Sequence, residues 1–215
     1  MNDNRSVQRC LALLRAFRAG PIQKLSDLSR AVDLPHSTVL RFLNTLEKEG
    51  YVRKQQTAWA LTPQMLELGF AALESMGVNE HVQSTLQALA DQCSGTANLG
   101  EKNREEVIII GRATAAAERR KLLVMNLHVG STLPTTSALF TALTLAADQW
   151  SITEYPEGNH VSAAIPIHIS EQRVLSLGVS MGRSDYSSER IEQEIVPLLQ
   201  RERLHITQLL RLGSS

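Results

Sequence analysis

The run from Leu34 to Val52, Leu34-Pro35-His36-Ser37-Thr38-Val39-Leu40-Arg41-Phe42-Leu43-Asn44-Thr45-Leu46-Glu47-Lys48-Glu49-Gly50-Tyr51-Val52, constrains the rest of the chain most. A residue that precedes proline is pushed out of the helical region, so Asp33-Leu34-Pro35 is a turn. Val39, Phe42, Leu43 and Leu46 then recur at three and four residues and form one apolar face. His36, Ser37, Thr38, Leu40, Arg41 and Asn44 are left to face outward at the N-terminal end. Gly50 stops the helix, and Tyr51-Val52 begins a strand.

The flanks fit the same plan. Ser6 can cap a helix that runs to Ala19 and ends at Gly20-Pro21, with Val7, Cys10, Leu11, Leu14 and Phe17 as its buried stripe. Ile22-Gln23-Lys24 is short and extended. Leu25, Leu28, Ala31 and Val32 form the face of a second helix. After Gly50, Tyr51–Lys54 and Ala58–Leu61 read as two strands around Gln55-Gln56-Thr57, a hairpin with a polar tip and a basic rising edge. This order of elements is that of a winged helix-turn-helix. Small polar donors at a helix N-terminus approach phosphates and base edges without steric cost, and an Arg or Asn further along can reach into the major groove. Taken singly, Ser37 or Thr38 could be an N-cap, Arg41 a surface arginine, and Arg53-Lys54 a solvated pair. The candidate DNA contacts are Arg5, His36, Ser37, Thr38, Leu40, Arg41, Asn44, Arg53, Lys54 and Gln55.

The charge balance points the same way. The 215-residue chain has a formal net charge of zero, with 22 basic and 22 acidic side chains. Residues 1–62 hold ten of the bases and five of the acids, a charge of +5, which leaves −5 for residues 63–215. A basic small domain joined to an acidic larger one suggests a polyanion partner for the first. No apolar run is long enough to span a membrane, and no apolar leader follows Met1, so a cytoplasmic protein is expected. Cys10 and Cys93 read as reduced thiols. The six histidines never fall at HxxxH or HExxH spacing, so no metal and no other cofactor is expected.

Residues 5–70 resemble the winged helix-turn-helix of the IclR-type bacterial transcriptional regulators. The likeness rests on Arg5-Ser6-Val7, Leu34–Leu43, Leu46-Glu47-Lys48-Glu49-Gly50-Tyr51-Val52, Leu61-Thr62-Pro63 and Leu66-Glu67-Leu68-Gly69. His36 departs from it, since the family more often has lysine or arginine there. The resemblance implies a linker helix from Pro63 that pairs two subunits, and Met65, Leu66, Leu68, Gly69, Ala72 and Leu73 suit that contact. It also implies a homodimer or a dimer of dimers on a double-stranded operator.

The second half reads as a helix over Glu80–Cys93 that ends at Ser94-Gly95, then a hairpin of Asn98–Lys102 and Val107–Arg112. A strand over Lys121–Leu127, a helix over Ser137–Ala147 and strands over Val161–Ile169 and Arg173–Met181 follow, then a long helix over Ser188–Leu212. In that helix Ile191, Ile195, Leu198, Ile206 and Leu209 mark the packed side. The loop His128–Pro134 is similar to the family's xxVGxxLP signature. The expected fold is α+β: a winged helix-turn-helix (1–62), a linker helix (63–79) and a GAF- or PAS-like antiparallel-sheet effector and oligomerisation domain (80–215).

Alternation along Leu175–Met181 sets Ser176, Gly178 and Ser180 on one strand face, where small residues leave room for a ligand. By resemblance, Gly178 and Ser180 match positions that hydrogen-bond a small carboxylate effector, and Thr153 matches a polar pocket position. Leu139 and Phe140 match positions that are small in some members, and Leu133 and Val161 would line the site. The family's longer helical stretch after Ala147 is shortened here. Two alternatives to an effector-sensing regulator follow. One is a DNA-binding oligomer with a filled or incomplete sensor that binds no effector. The other is a serine hydrolase using Ser180, because Gly178-Val179-Ser180-Met181-Gly182 spells GxSxG, although that motif needs a strand-to-helix elbow at the serine.

Overall fold

A computed structural model describes residues 3–119 and 127–212. The chain forms two compact units, Met1–Ala72 and Leu73–Ser215.

In the first unit α1 (Arg5–Ala16) continues as a short 3-10 turn, Phe17–Ala19. Its cap is Asn4, not Ser6: Asn4 Oδ1 accepts from the Ser6 and Val7 amides at 3.1 and 3.2 Å. The buried face is also rotated from the expected one. Leu13 and Phe17 are buried, Cys10 and Leu14 are half-buried, and Val7 and Leu11 are exposed. Both stripes have helical spacing, and Leu13 decides between them because it is wholly enclosed by the unit's core.

α2 (Leu25–Val32) buries Leu28 and Ser29, whereas Ala31 faces solvent. It ends in a left-handed residue, Asp33 (φ 50), with the Leu34 amide donating back to Ser29 O at 3.1 Å. The turn before Pro35 is therefore made by a helix C-cap as well as by the proline. α3 (His36–Lys48) buries Val39, Leu43 and Leu46 and half-buries Phe42, as the periodicity predicts. It closes through Gly50, whose φ of 84 favours glycine. Strands β2 (Val52–Gln55) and β3 (Ala58–Leu61) form the wing, and β1 (Gln23–Lys24) pairs with β3 on its other side. Trp59 is buried in this unit's core. α4 (Gln64–Ser75) contributes no buried side chain and exposes Leu66, Leu68 and Phe70.

The second unit is one antiparallel six-stranded sheet in the order β6-β5-β4-β9-β8-β7. The strands are β4 (Thr96–Asn103), β5 (Glu106–Thr114), β6 (Thr132–Leu133), β7 (Ser151–Tyr155), β8 (His160–Ser170) and β9 (Arg173–Gly182). The β4–β5 turn has no glycine because Arg104 takes the left-handed conformation itself, at φ 59. α6 (Ala116–Arg119) follows β5. The strand expected over Lys121–Leu127 lies outside the described residues except at Leu127, which has no regular structure.

One face of the sheet is covered by α5 (Glu80–Gln92) and by a long C-terminal helix. That helix consists of α8 (Ser188–Arg190), a π turn (Ile191–Ile195) and α9 (Val196–Leu212). Leu86, Leu89, Leu175, Leu177, Val179, Met181, Leu199 and Ile206 meet there. A π turn holds one more residue than an α turn, which advances the buried face from Leu198 to Leu199. Leu210, one residue past the expected Leu209, is wholly buried as well. Cys93 is sealed in this core, and burial pushes its thiol up to about 12.

The opposite face is covered in part by α7 (Ala138–Ala142), which is shorter than the expected Ser137–Ala147. Ser137 caps α7, accepting from the Phe140 amide and donating to Pro134 O at 2.8 Å. The stretch behind α7 is tied down twice: His168 Nε2 lies 3.2 Å from Leu145 O, and the Arg203 guanidinium donates to Ala147 O.

Candidate nucleic-acid interface and sensor face

α3 starts directly after Pro35, the N-cap, with no side chain bonded to its first amides. Neither Ser37 nor Thr38 is thus spent as a cap. Ser37 is exposed, Thr38 half-buried, and His36, Leu40, Arg41 and Asn44 are exposed. Ser37, Leu40, Arg41, Asn44 and Lys48 share one helical face at spacings of three and four. The first-turn N–H groups of a helix lack intrahelical partners and carry the positive end of its dipole, so this end suits an anion.

The wing is fixed to α3 by a contact that the sequence reading missed: the Lys54 amide donates to Glu47 Oε1 at 3.1 Å. Arg53 and Lys54 are exposed. With its amide in the bonded orientation, half-buried Gln55 accepts from Arg53 Nη2 and Nε at 3.1 and 3.0 Å, which steers that guanidinium along the strand. Arg5, in the first turn of α1, is exposed.

On the sheet of the second unit, Leu139 of α7 packs with Leu133, Val107 and Ala164, and Phe140 of the same helix lies against them. A side chain at Gly178 would meet Ala163 O and Ala164 Cβ at 2.9 Å and Leu139 Cδ2 at 3.1 Å. Leu139 therefore occupies the space above Gly178. Ser176, deeper on the same strand face, is wholly buried, and its hydroxyl has no partner. Val161 is a correction. It pairs with Met181 and joins the helix-covered core on the other face, so it cannot line a site with Ser180.

Beyond α7 the surface turns polar. Register aligns Thr114, Thr96, Ser180, Ser162 and Thr153 in one row across five strands. The Ser162 and Ser180 hydroxyls are 2.7 Å apart. Burial raises the Tyr155 phenol, while hydrogen bonds to the Ala138 backbone and the Thr153 side chain pull the other way; its ring stacks on His160 at 4.4 Å. The adjacent row is Arg112, Asn98, Gly178, Ala164 and Ser151. Ser180, Thr153 and Gly178 are the expected site residues in these rows; Arg112, Asn98, Ser162 and Thr96 join them through strand register. An arginine inside the apolar run Val107–Arg112 was a usable signal, because charges are rare in buried strands. An open groove of about 600 Å³ lies on the helix side, where Arg190 already pairs with Glu194 and Arg201 with Glu202.

The GxSxG run is extended strand through Gly182, and Ser180 Oγ faces Ser162 Oγ. It lacks the elbow that a nucleophilic serine requires. Among the described residues, no three His, Cys, Asp or Glu side chains could hold a metal, and no helix is long and apolar enough to cross a membrane.

Comparison with known proteins identifies residues 6–56 as an IclR helix-turn-helix domain. The chain is 32% identical over 152 residues to the Pca regulon regulatory protein of Pseudomonas putida, covering 70% of this chain and 51% of that protein. It is 27% identical over 114 residues to the transcriptional repressor IclR of Escherichia coli, covering 51% and 40%. The chain thus spans about half the length of the curated relatives it matches, or less. A transcriptional regulator from Rhodococcus sp. RHA1 shares the fold with a TM-score of 0.78 at 23% identity, over 98% of this chain and 99% of that one. An IclR homolog from Microbacterium hydrocarbonoxydans complexed with 4-hydroxybenzoate does so with a TM-score of 0.73 at 16% identity, over 97% and 98%. Residues 6–56 thus carry the helix-turn-helix domain of the IclR family, and the chain is similar to transcriptional regulators of that family.

Proposed function

We propose that the chain is a sequence-specific DNA-binding regulator in which α3 reads the major groove and the wing holds neighbouring phosphates. The observation that carries this is the N-terminus of α3: no side chain caps it, and it is followed by an exposed face of Ser37, Leu40, Arg41 and Asn44. Arg41 is long enough to reach guanine O6 and N7, Asn44 can pair with adenine, and Leu40 offers an apolar contact to a thymine methyl. Arg5, His36, Thr38, Arg53, Lys54 and Gln55 position the backbone. Two copies, paired through the linker 63–79, would present two readers to a pseudo-palindromic operator in the cytoplasm.

Arg41→Ala tests the placement. It should cost about 1–3 kcal/mol of discrimination between operator and mismatched DNA. Fluorescence anisotropy against both duplexes measures this. Unchanged discrimination would remove α3 from the major groove.

Residues 80–215, within the second unit, we read as the sensor of a small organic or aromatic acid, with Ser180 and Thr153 on its polar strip. The Microbacterium homolog's bound 4-hydroxybenzoate supports that class. A second reading is favoured by Leu139, which covers Gly178, with Phe140 and Leu133 packed in the same cluster. On that reading the unit assembles and senses nothing. Titrating acids while following operator affinity separates the two, since only a ligand with differential affinity for two states can shift them.

A further inference from the structure

Arg112 lies on β5, on the side of the sheet that carries α7. Its neighbour Gly111 faces α5 instead, where Leu86 Cδ1 is 2.8 Å from the position of an added Cβ. The Arg112 guanidinium is half-buried and reaches one strand inward, Nη1 donating to Asn98 Oδ1 at 2.5 Å. Asn98 is itself 4% exposed, which fixes the acceptor and hence the fork. Among the described residues no carboxylate pairs with this cation, and Nε and Nη2 have no hydrogen-bond acceptor. Buried charges are ordinarily paired, and burial alone presses this guanidinium below its usual value. A charge held in a fixed orientation and left without its counter-ion is a receptor for one.

α7 bounds the site on one side. Next to Asn98 in the row come Gly178 and Ala164, both buried against Leu139 of α7, so the accessible face runs from Arg112 toward the row of Ser180 and Ser162. Diagonally across, one strand over and two residues along, is Ser180, bonded to Ser162. Diagonal neighbours of this kind are about 7–8 Å apart.

We propose that Arg112 is the charge anchor of the sensor site. Its ligand is a monocarboxylate with a hydroxyl or carbonyl at its far end, which meets the Ser162–Ser180 pair. The carboxylate bonds the Nε/Nη2 edge in the fork geometry that Arg favours, while Asn98 keeps Nη1. This rests on the sensor reading above and gives it a ligand shape and a polarity, with the acid at β5 and the hydroxyl at β8 and β9.

The test is calorimetric titration of the full chain with 4-hydroxybenzoate and with its uncharged isostere 4-hydroxybenzamide. The wild type should prefer the acid by about 100-fold or more, as expected when a desolvated cation is denied its partner. Arg112→Gln, which retains a donor for Asn98, should abolish that preference, and Arg112→Lys should restore part of it. Asn98→Ala should weaken the acid while preserving its advantage over the amide. The wild-type comparison of acid with amide stands even where a variant is poorly folded, and equal affinity there overturns the proposal. An acid preference that survives Arg112→Gln also overturns it, leaving a sensor whose anchor lies elsewhere. No binding of 4-hydroxybenzoate by the wild type overturns the anchor; the sensor reading falls separately, if operator affinity shifts with none of the titrated acids.

Discussion

A methyl group at Gly95 would lie 2.2 Å from the carbonyl oxygen of Ser180 and 3.2 Å from Met181 Cγ. The backbone oxygen cannot yield without parting β9 from β4, so Gly95→Ala should destabilise the second unit by about 1–3 kcal/mol. Urea unfolding checks it, and a loss within about 0.5 kcal/mol, the range of an ordinary surface change, would contradict the close approach. Ser94-Gly95 was legible as the end of α5, yet the reason for the glycine was not. The left-handed residue is Ser94, at φ 48, and Gly95 is needed because another strand passes over it. Local propensity is written in adjacent residues, whereas a close approach depends on a residue 85 positions away. Asn4 and Ser6 show the local limit of the same kind of reading. Both are cap residues by type, and the one placed to bond two amides wins.

At the scale of elements, periodicity located nearly every helix and strand, and its errors are errors of phase. α1 carries apolar residues on two overlapping stripes, so the pattern alone could not choose the face with Leu13 over that with Val7 and Leu11. The π turn moved the buried face of the last helix by one residue. Val161, expected as pocket lining beside the family-matched positions, lies on the other face; a matched position does not say which strand face it takes. The pairing Ser162–Ser180 settles it, and strand register is a tertiary fact. The wing shows a further contribution that no pattern holds. Glu47 sits on α3 and accepts from the Lys54 amide seven residues on, so the C-terminal half of the reader and the base of the wing share a hydrogen bond. Glu47→Ala should leave the Lys54 amide without its charged acceptor and speed its hydrogen exchange by about tenfold or more, as expected for a bond worth about 1.5–3 kcal/mol. Glu47→Gln, which keeps an acceptor, should exchange far more slowly than Glu47→Ala. Equal exchange in all three proteins would show that the wing is held by its strand pairing alone.

For the molecule as a whole, the charge split and the two units tell a consistent story: a +5 segment of residues 1–62 ahead of a −5 remainder. What must still be explained is α4. It is 12 residues long with no buried side chain, and Leu66, Leu68 and Phe70 are 58%, 55% and 61% exposed. A helix of that length is marginal in water on its own, and one that shows three large apolar groups needs a cover. Leu66 and Phe70 lie one turn apart on one face, with Gly69 beside them to let a second helix approach. A self-complementary stripe of this kind is what a two-fold interface uses. The double substitution Leu66→Glu with Phe70→Glu therefore should yield monomers in sedimentation, where the proposed pairing makes the wild type a dimer. It should also reduce affinity for a two-half-site operator by about 10²–10⁴-fold, since the second reader is no longer tethered. Binding to a single half-site should be unchanged, because α3 and the wing are intact. If the variant sediments like the wild type, the subunits are joined elsewhere, and the exposed leucines of α4 lose the role assigned to them. If it is monomeric yet binds the full operator undiminished, each α3 reads alone and the two-fold operator is wrong.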